Sequence, residues 1–330
     1  MIKLTIKIKT MIFSLLCFFI FGSASILFAD PTSLYYMNKS HEYQGVTTSL
    51  YNLAYIKLKD SLTQPSESAF PEQVSNYEDL PVAVILDIDE TILNTSAYAI
   101  YLEKTKQKYT AATWDTFLKQ ADAPAVEGAV KFIHDAQALG VAIFLVSNRE
   151  NSQREYTIAN IQKVGIEIED SNVLLKHQEK TYTSNKYYRY AKIAKTHRIA
   201  MIIGDDLNDF FPAEQIHYKG RQIYLKKYEA YIGNSWIFLP NPSYGSFLDV
   251  ATEDLKGNTT ILDLMKGFND TKEEEQSTNP NELSSDVETA NLQDNETDAD
   301  VDVETANLQD NKPDVDVTQG FNDTYTDVQN

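Results

Sequence analysis

This sequence predicts an α/β fold built on a parallel sheet, and three observations carry the prediction. Val82–Leu86, Val141–Val146 and Ile199–Ile203 are short, unbroken apolar runs rich in β-branched residues, the pattern of strands buried on both faces. Each runs at once into a polar cluster: Asp87-Ile88-Asp89-Glu90-Thr91, Ser147-Asn148-Arg149 and Gly204-Asp205-Asp206-Leu207-Asn208-Asp209. Segments with helical periodicity lie between them. The carboxyl edge of such a sheet is where open α/β folds place their ligand crevice.

The chain has 330 residues, 42% of them hydrophobic, enough for one sizeable α/β core with material left at both ends. From Asp270 onward 18 acids face 2 bases, so most of the formal charge of −19 sits in the tail, while residues 1–269 are close to neutral. Nothing in this balance suggests binding to a nucleic acid polymer.

At the start, Lys3, Lys7 and Lys9 precede an apolar run from Met11 to Phe28 that meets Asp30-Pro31. This reads as a secretory signal peptide over 1–29, with cleavage after Ala29 or Ser25. A retained anchor is the alternative, since the run is near the minimum length for a span. The single cysteine, Cys17, follows Leu16, whereas lipid attachment requires a small residue there. Removal of the segment leaves no cysteine and hence no disulfide. The expectation is an exported protein, periplasmic or secreted, with membrane association only if the segment is retained or lipidated.

Tyr36 to Leu58 reads as a first helix with Leu50, Leu53, Ala54, Ile56 and Leu58 on its apolar face, and Gln64 to Pro71 as a loop. The strand Val82–Leu86 follows, then a helical or looped excursion from Ile92 to Tyr101. A helix over Thr113–Gln120 is capped by Thr113 and carries Trp114 and Phe117; such aromatics serve either as core or as a ligand platform. Val126 to Leu139 is the next helix, stopped by Gly140, which leads into the strand Val141–Val146. Asn172–Lys176 is a short strand, and Ser184 is placed as the cap of a helix carrying Lys186 and Arg189. After Ile199–Ile203, the last core strands are Arg221–Leu225 and Trp236–Leu239.

Two acids and a hydroxyl in one loop, Asp87, Asp89 and Thr91, can hold a hard divalent cation through oxygen. They can also offer one carboxylate as nucleophile and keep the other for proton transfer. A solvated acidic turn is the plainer reading of the loop by itself. Ser147, Asn148 and Arg149 can cradle a phosphoryl group, or form an ordinary polar turn. Three aspartates beyond the strand Ile199–Ile203 are costly unless a metal or hydrogen-bond donors compensate them.

Taken in order, Asp87-Ile88-Asp89-Glu90-Thr91, the strand ending in Ser147, Lys186, and Gly204 to Asp209 resemble the four motifs of haloacid-dehalogenase-like phosphohydrolases. More narrowly, the chain resembles the bacterial class C acid phosphatases, the four-aspartate group typified by outer-membrane lipoprotein phosphatases. Ser147-Asn148-Arg149, Ser184-Asn185-Lys186 with Arg189, and Leu239-Pro240-Asn241-Pro242-Ser243-Tyr244-Gly245 add to the likeness, which spans roughly residues 34–250. The chain departs from it at Asn185, Asp206 and Asn208, where those relatives often have serine, asparagine and aspartate.

The resemblance implies a Rossmann-like parallel core with a small helical cap over 30–266. It also implies a Mg²⁺-dependent acid phosphatase acting on phosphomonoesters. Asp87 would be the nucleophile and Asp89 the proton donor and acceptor. Asp87, the backbone carbonyl of Asp89, and Asp205 would hold the cation, with Asp209 orienting a metal-bound water. Ser147 and Lys186 would bind phosphoryl oxygens, with Arg149 in support. Trp114 and Tyr244 would stack on the base of a nucleoside 5′-monophosphate. A phosphotransferase on the same fold is the alternative enzyme, and a storage or adhesion protein the non-catalytic one, against which an intact Asp87 argues. The oligomeric state is not legible.

Over 267–330, Asp286–Asn295 recurs unchanged at 302–311, and Gly267–Thr271 returns at 320–324. Rich in acids and without sustained periodicity, this stretch reads as a disordered, solvating tail.

Overall fold

The computed structural model describes residues 30–63, 68–211 and 218–254, together with Met265. The apolar runs form five parallel strands: β1 (Val82–Leu86), β2 (Ala142–Glu150), β3 (Val173–Lys176), β4 (Arg198–Gly204) and β5 (Trp236–Phe238). Their order across the sheet is β3-β2-β1-β4-β5. The chain steps outward from β1 through β2 to β3, then returns to the other side of β1 as β4. That reversal opens a crevice at the carboxyl ends of β1 and β4.

Side chains alternate between two cores. Val84, Leu86, Ile143, Leu145, Val173, Leu175 and Ile203 face one, and Ala83, Ile85, Phe144, Val146, Leu174 and Ile202 the other. The register of β1 on β4 slips between Ala83 and Val84, which pair with Ile199 and Met201. Ala200 is therefore an extra residue, and the bulge lets Ile199 and Ile202 share a face although they are three apart.

The helices are α1 (Pro31–Lys39), α2 (His41–Thr63), α3 (Ser96–Thr105), α4 (Ala111–Leu118), α5 (Ala129–Ala138), α6 (Arg154–Lys163), α7 (Tyr187–Ala194), α8 (Tyr218–Lys227) and α9 (Ser246–Asp254). Helices α2, α5 and α6 cover the first core, while α7 and α8 lie over the second. Helix α1 packs against α3, and Asn38 Nδ2 donates to Ser96 Oγ while Asn94 Nδ2 donates to Met37 O. Helix α1 and the insertion after β1 thus pack on one another.

Several local expectations need correction. The helix expected over Tyr36–Leu58 is two helices, because Ser40 is extended (ψ 142°) and its Oγ accepts from Tyr43 N, capping α2. The buried stripe of α2 is Tyr43, Thr47, Tyr51, Ala54 and Leu58, leaving Ile56 52% exposed. Thr110, not Thr113, caps α4, its side chain accepting from Thr113 N. Helix α5 begins at Ala129 rather than Val126, since Gly128 precedes it at φ +94°, where a Cβ would also press on Tyr51. Ser184 makes no capping hydrogen bond among the described residues; Asn185 Oδ1 accepts from Tyr187 N at the start of α7. Arg221–Leu225 is helical, part of α8, and this places Tyr224 stacked on Phe211, with Tyr228 one turn on meeting the same ring at a tilt.

No helix among the described residues is long and apolar enough to cross a membrane. The apolar run 11–28, residues 64–67 of the expected loop, and the acidic repeats lie outside the described residues.

Candidate functional site

The site is built where β1 and β4 end. Asp87 continues β1, its N–H donating to Ile203 O at 3.0 Å, and the chain then folds tightly, with Ile92 N and Leu93 N both donating to Ile88 O. This turn sets Glu90 at φ +54°, a strained position for a residue with a Cβ. Opposite it, the turn after β4 is closed by Asp209, whose Oδ2 accepts from the backbone N–H groups of Asp205 and Asp206, each at 3.0 Å. Gly204 makes room for this closure, since a Cβ there would overlap the Asp209 carboxylate.

Lys186 joins the two turns. Its buried ammonium pairs with Asp87 Oδ1 and, at 2.7 Å, with Asp209 Oδ1. Burial alone would lower the lysine's pKa, but Asp209 and Asp87 outweigh it and hold the group charged. Burial pushes the Asp87 carboxyl up to about 7, with Asp209 and Asp89 adding to the effect and Lys186 opposing it. Asp205 is raised well above the usual carboxylate range, first by burial and then by Asp209, Asp87 and Glu90. Its Oδ1 accepts from Thr91 Oγ1 at 3.1 Å and its Oδ2 from Asn241 Nδ2 at 2.9 Å.

Asp89 is engaged by Arg149, whose Nε and Nη2 both donate to its carboxylate. Ser147 is buried and its Oγ accepts from Arg149 N. Arg189 ties the end of β2 to the loop before α7, donating to Ser147 O and Asn148 Oδ1 at 2.6 Å each and to Thr183 O.

The structure therefore brings Asp87, Asp89, Asp205, Asp209, Lys186, Ser147 and Arg149 to one sheet edge, two of them in partnerships other than those expected. Arg149 holds Asp89, and the Asp209 carboxylate is occupied by Lys186 and two amides. Trp114 and Tyr244 are not in ring contact among the described residues. Trp114 stacks on Phe117 (5.5 Å, 28°) and meets Tyr98 edge-on (5.0 Å), inside the cap, whereas Tyr244 is 40% exposed and its hydroxyl reaches Glu90.

Glu90 and Asn241 went unassigned by sequence reasoning. Glu90 is fully buried, and its carboxyl is pushed up to about 8, mainly by burial and then by Asp89, while it accepts from Thr95 N and Oγ1 at 2.8 Å. Asn241 lies in a stretch noticed only as a motif. No local signal marks either residue, because each acts on a partner far away in the chain.

The acids here outnumber the bases. Among the described residues Asp87, Asp89, Glu90, Asp205 and Asp209 face only Lys186 and Arg149 in direct ion pairs, and Asp205 has the carboxyl groups of Asp209, Asp87 and Glu90 near it. Such a surplus of buried oxygen ligands fits a hard divalent cation. Among the described residues no three His, Cys, Asp or Glu side chains form a ready-made cage. The donors would be the Asp87 and Asp205 carboxylates and the Asp89 carbonyl, a sparse set of the kind that suits an ion keeping several waters.

The model of the HAD superfamily, subfamily IIIB (acid phosphatase) matches residues 30–247. Over 128 residues the chain is 24% identical to acid phosphatase 1 of Solanum lycopersicum, a match covering 38% of this chain and 50% of that relative. The chain thus spans about half the length of this curated relative. Among solved structures it is similar to the class C acid phosphatase of Bacillus anthracis, at 25% identity and a TM-score of 0.59, covering 82% of this chain and 97% of the other. A tungstate-bound structure of that protein gives 24% identity with the same TM-score and coverage.

Proposed function

Because the chain belongs to the HAD superfamily, subfamily IIIB, the acid phosphatases, we propose that it is a Mg²⁺-dependent phosphomonoesterase working through an aspartyl-phosphate on Asp87. The observation that carries this reading is the pairing of Asp87 at the end of β1 with a buried, charged Lys186, while Asp89 stands two residues on.

The chemistry follows from those positions. An oxygen of Asp87 bonds to phosphorus as the bond to the ester oxygen breaks; the electron pair leaves with that oxygen, which takes a proton from Asp89. Water then attacks the aspartyl-phosphate and gives a proton back to Asp89. The bond from phosphorus to Asp87 breaks, its electron pair returns to the carboxylate, and inorganic phosphate leaves. Lys186 opposes the effect of burial on Asp87 by favouring its ionised form, and it supplies positive charge where phosphoryl oxygens gather, with the Ser147 Oγ hydroxyl beside them. A bound divalent cation would offset the repulsion between an anionic nucleophile and an anionic phosphate.

Within this reading the substrate is a nucleoside 5′-monophosphate. The support is an exposed Tyr244 ring anchored beside the nucleophile loop, together with Trp114 in a cap rich in aromatic rings. Phosphate release from AMP and from a small alkyl phosphate, with and without Mg²⁺, tests both parts. Trp114→Ala should lower kcat/KM for AMP about 5- to 150-fold more than for the alkyl ester. An equal loss on both would leave a phosphatase without base recognition, and no release from any ester would overturn the activity itself. Export is proposed as well, supported by the basic and then apolar residues 3–28.

A further inference from the structure

We propose that Arg149 is the positioning residue of the proton-transferring carboxylate: its buried fork orients Asp89 toward the leaving-group oxygen and is not a ligand of the phosphoryl group. The inference rests on the assignment of Asp89 above and adds to it the element that makes Asp89 effective.

The geometry begins in β2. Its pairing with β3 runs Leu145–Val173, Val146–Leu174 and Ser147–Leu175, and then jumps to Glu150–Lys176. Asn148 and Arg149 are therefore two extra residues in the strand, and the resulting irregularity re-aims them. Asn148 stays at the surface, whereas Arg149 is only 3% exposed. Its Nε lies 3.2 and 3.0 Å from Asp89 Oδ1 and Oδ2, and its Nη2 is 2.7 Å from Oδ1. On the far side Nη1 donates to Thr157 Oγ1 at 3.2 Å, a side chain buried in α6.

A planar guanidinium anchored at its back edge and bound to both carboxylate oxygens at its front fixes the plane of Asp89 as well as its distance. Orientation matters because one carboxyl must serve both steps. It delivers a proton as the ester bond breaks, then receives one from the attacking water. Lysine, a point charge on a flexible stem, could neutralise Asp89 without setting its plane. Three of the five N–H groups of Arg149 are directed at Asp89 and Thr157, and the phosphoryl group is left to Lys186 and Ser147.

The test compares leaving groups. An alkyl alcohol must be protonated as it departs, whereas 2,4-dinitrophenolate leaves readily without a proton. In first-turnover measurements, Arg149→Ala should slow release from an alkyl phosphate by about 100-fold, and release of dinitrophenolate at least tenfold less than that. Asp89→Asn should show the same selectivity, and the double variant should be no worse than Asp89→Asn, since the two residues act as a unit. Inhibition by inorganic phosphate should stay within about threefold of the unsubstituted protein. Arg149→Lys retains a buried charge and serves if the alanine variant does not fold; it should show the same selectivity in milder form. Equal losses on both esters, additive losses in the double variant, or a tenfold weakening of phosphate inhibition would each overturn the proposal. Absence of turnover in the unsubstituted protein would instead strike the phosphatase reading.

Discussion

The hydroxyl of Tyr244 donates to Oε2 of Glu90, joining the loop after β5 to the turn that carries Asp87 and Asp89. The same loop is tied to the second acidic turn by Asn241, which donates to Asp205, and by Ser246, whose N and Oγ both reach Asp206 at 2.6 Å. The late loop is therefore part of the frame that sets the distance between the two acidic turns.

Tyr244→Phe separates the hydroxyl from the ring. It should cost about 1 kcal/mol by removing one of the two donors to Glu90 Oε2, the other being Thr95 Oγ1, and denaturant unfolding reads this directly. If the ring contributes base stacking, the preference for AMP over an alkyl phosphate should persist in this variant and fall in Tyr244→Ala.

Glu90 predicts a pH dependence of stability. Its carboxyl is raised from about 4.5 to about 8 in the fold, so the folded state favours the protonated form. The contribution is whole below about pH 4.5 and is lost as pH rises through 8. In chelator, the melting temperature should fall between pH 5 and 8, and by several degrees less in Glu90→Gln, whose amide does not ionise. Identical slopes in the two proteins would show that Glu90 is charged throughout.

Asp87→Asn should abolish turnover, because an amide cannot form the aspartyl-phosphate, while its melting temperature stays within a few degrees of the unsubstituted protein. Purified variant retaining more than a trace of phosphate release would remove Asp87 as nucleophile.

Lys186→Met should be harsher on the fold. It leaves Asp87 and one oxygen of Asp209 buried without their cation, a loss of about 3–5 kcal/mol. A stability change under 1 kcal/mol would mean the two carboxylates find other compensation.

Chelation should stop phosphate release and Mg²⁺ should restore it. Asp205→Asn should raise the Mg²⁺ concentration needed at least tenfold and shrink the rise in melting temperature that saturating Mg²⁺ produces. Full activity in excess chelator would point to a metal-independent reaction.

The sheet was legible because a strand buried on both faces is apolar without interruption, so β1, the apolar part of β2, and β4 stand out as runs, and the charges ending them mark the crevice. Arg221–Leu225 misled because a short run ending in Ile223, Tyr224 and Leu225 fits a strand as well as a turn of helix. Its partners, Phe211 on Tyr224 and Ser246 on Arg221, lie elsewhere in the chain. The break at Ser40 was written locally, as a hydroxyl able to cap the helix that follows.

By itself the sequence determined the α/β class, the positions of the central strands, and which acids stand at their ends, since hydrophobic runs and their polar boundaries are properties of adjacent residues. Only the tertiary structure decided who partners whom. Arg149 and Asp89 are 60 positions apart, Asn241 and Asp205 36, and Tyr244 and Glu90 154. No local pattern encodes those distances. They follow from strand order, from a strand irregularity that turns one arginine inward, and from a late loop that crosses back over the nucleophile turn. Burial then decides the electrostatics, because a carboxylate's charge is costly only where water has been excluded.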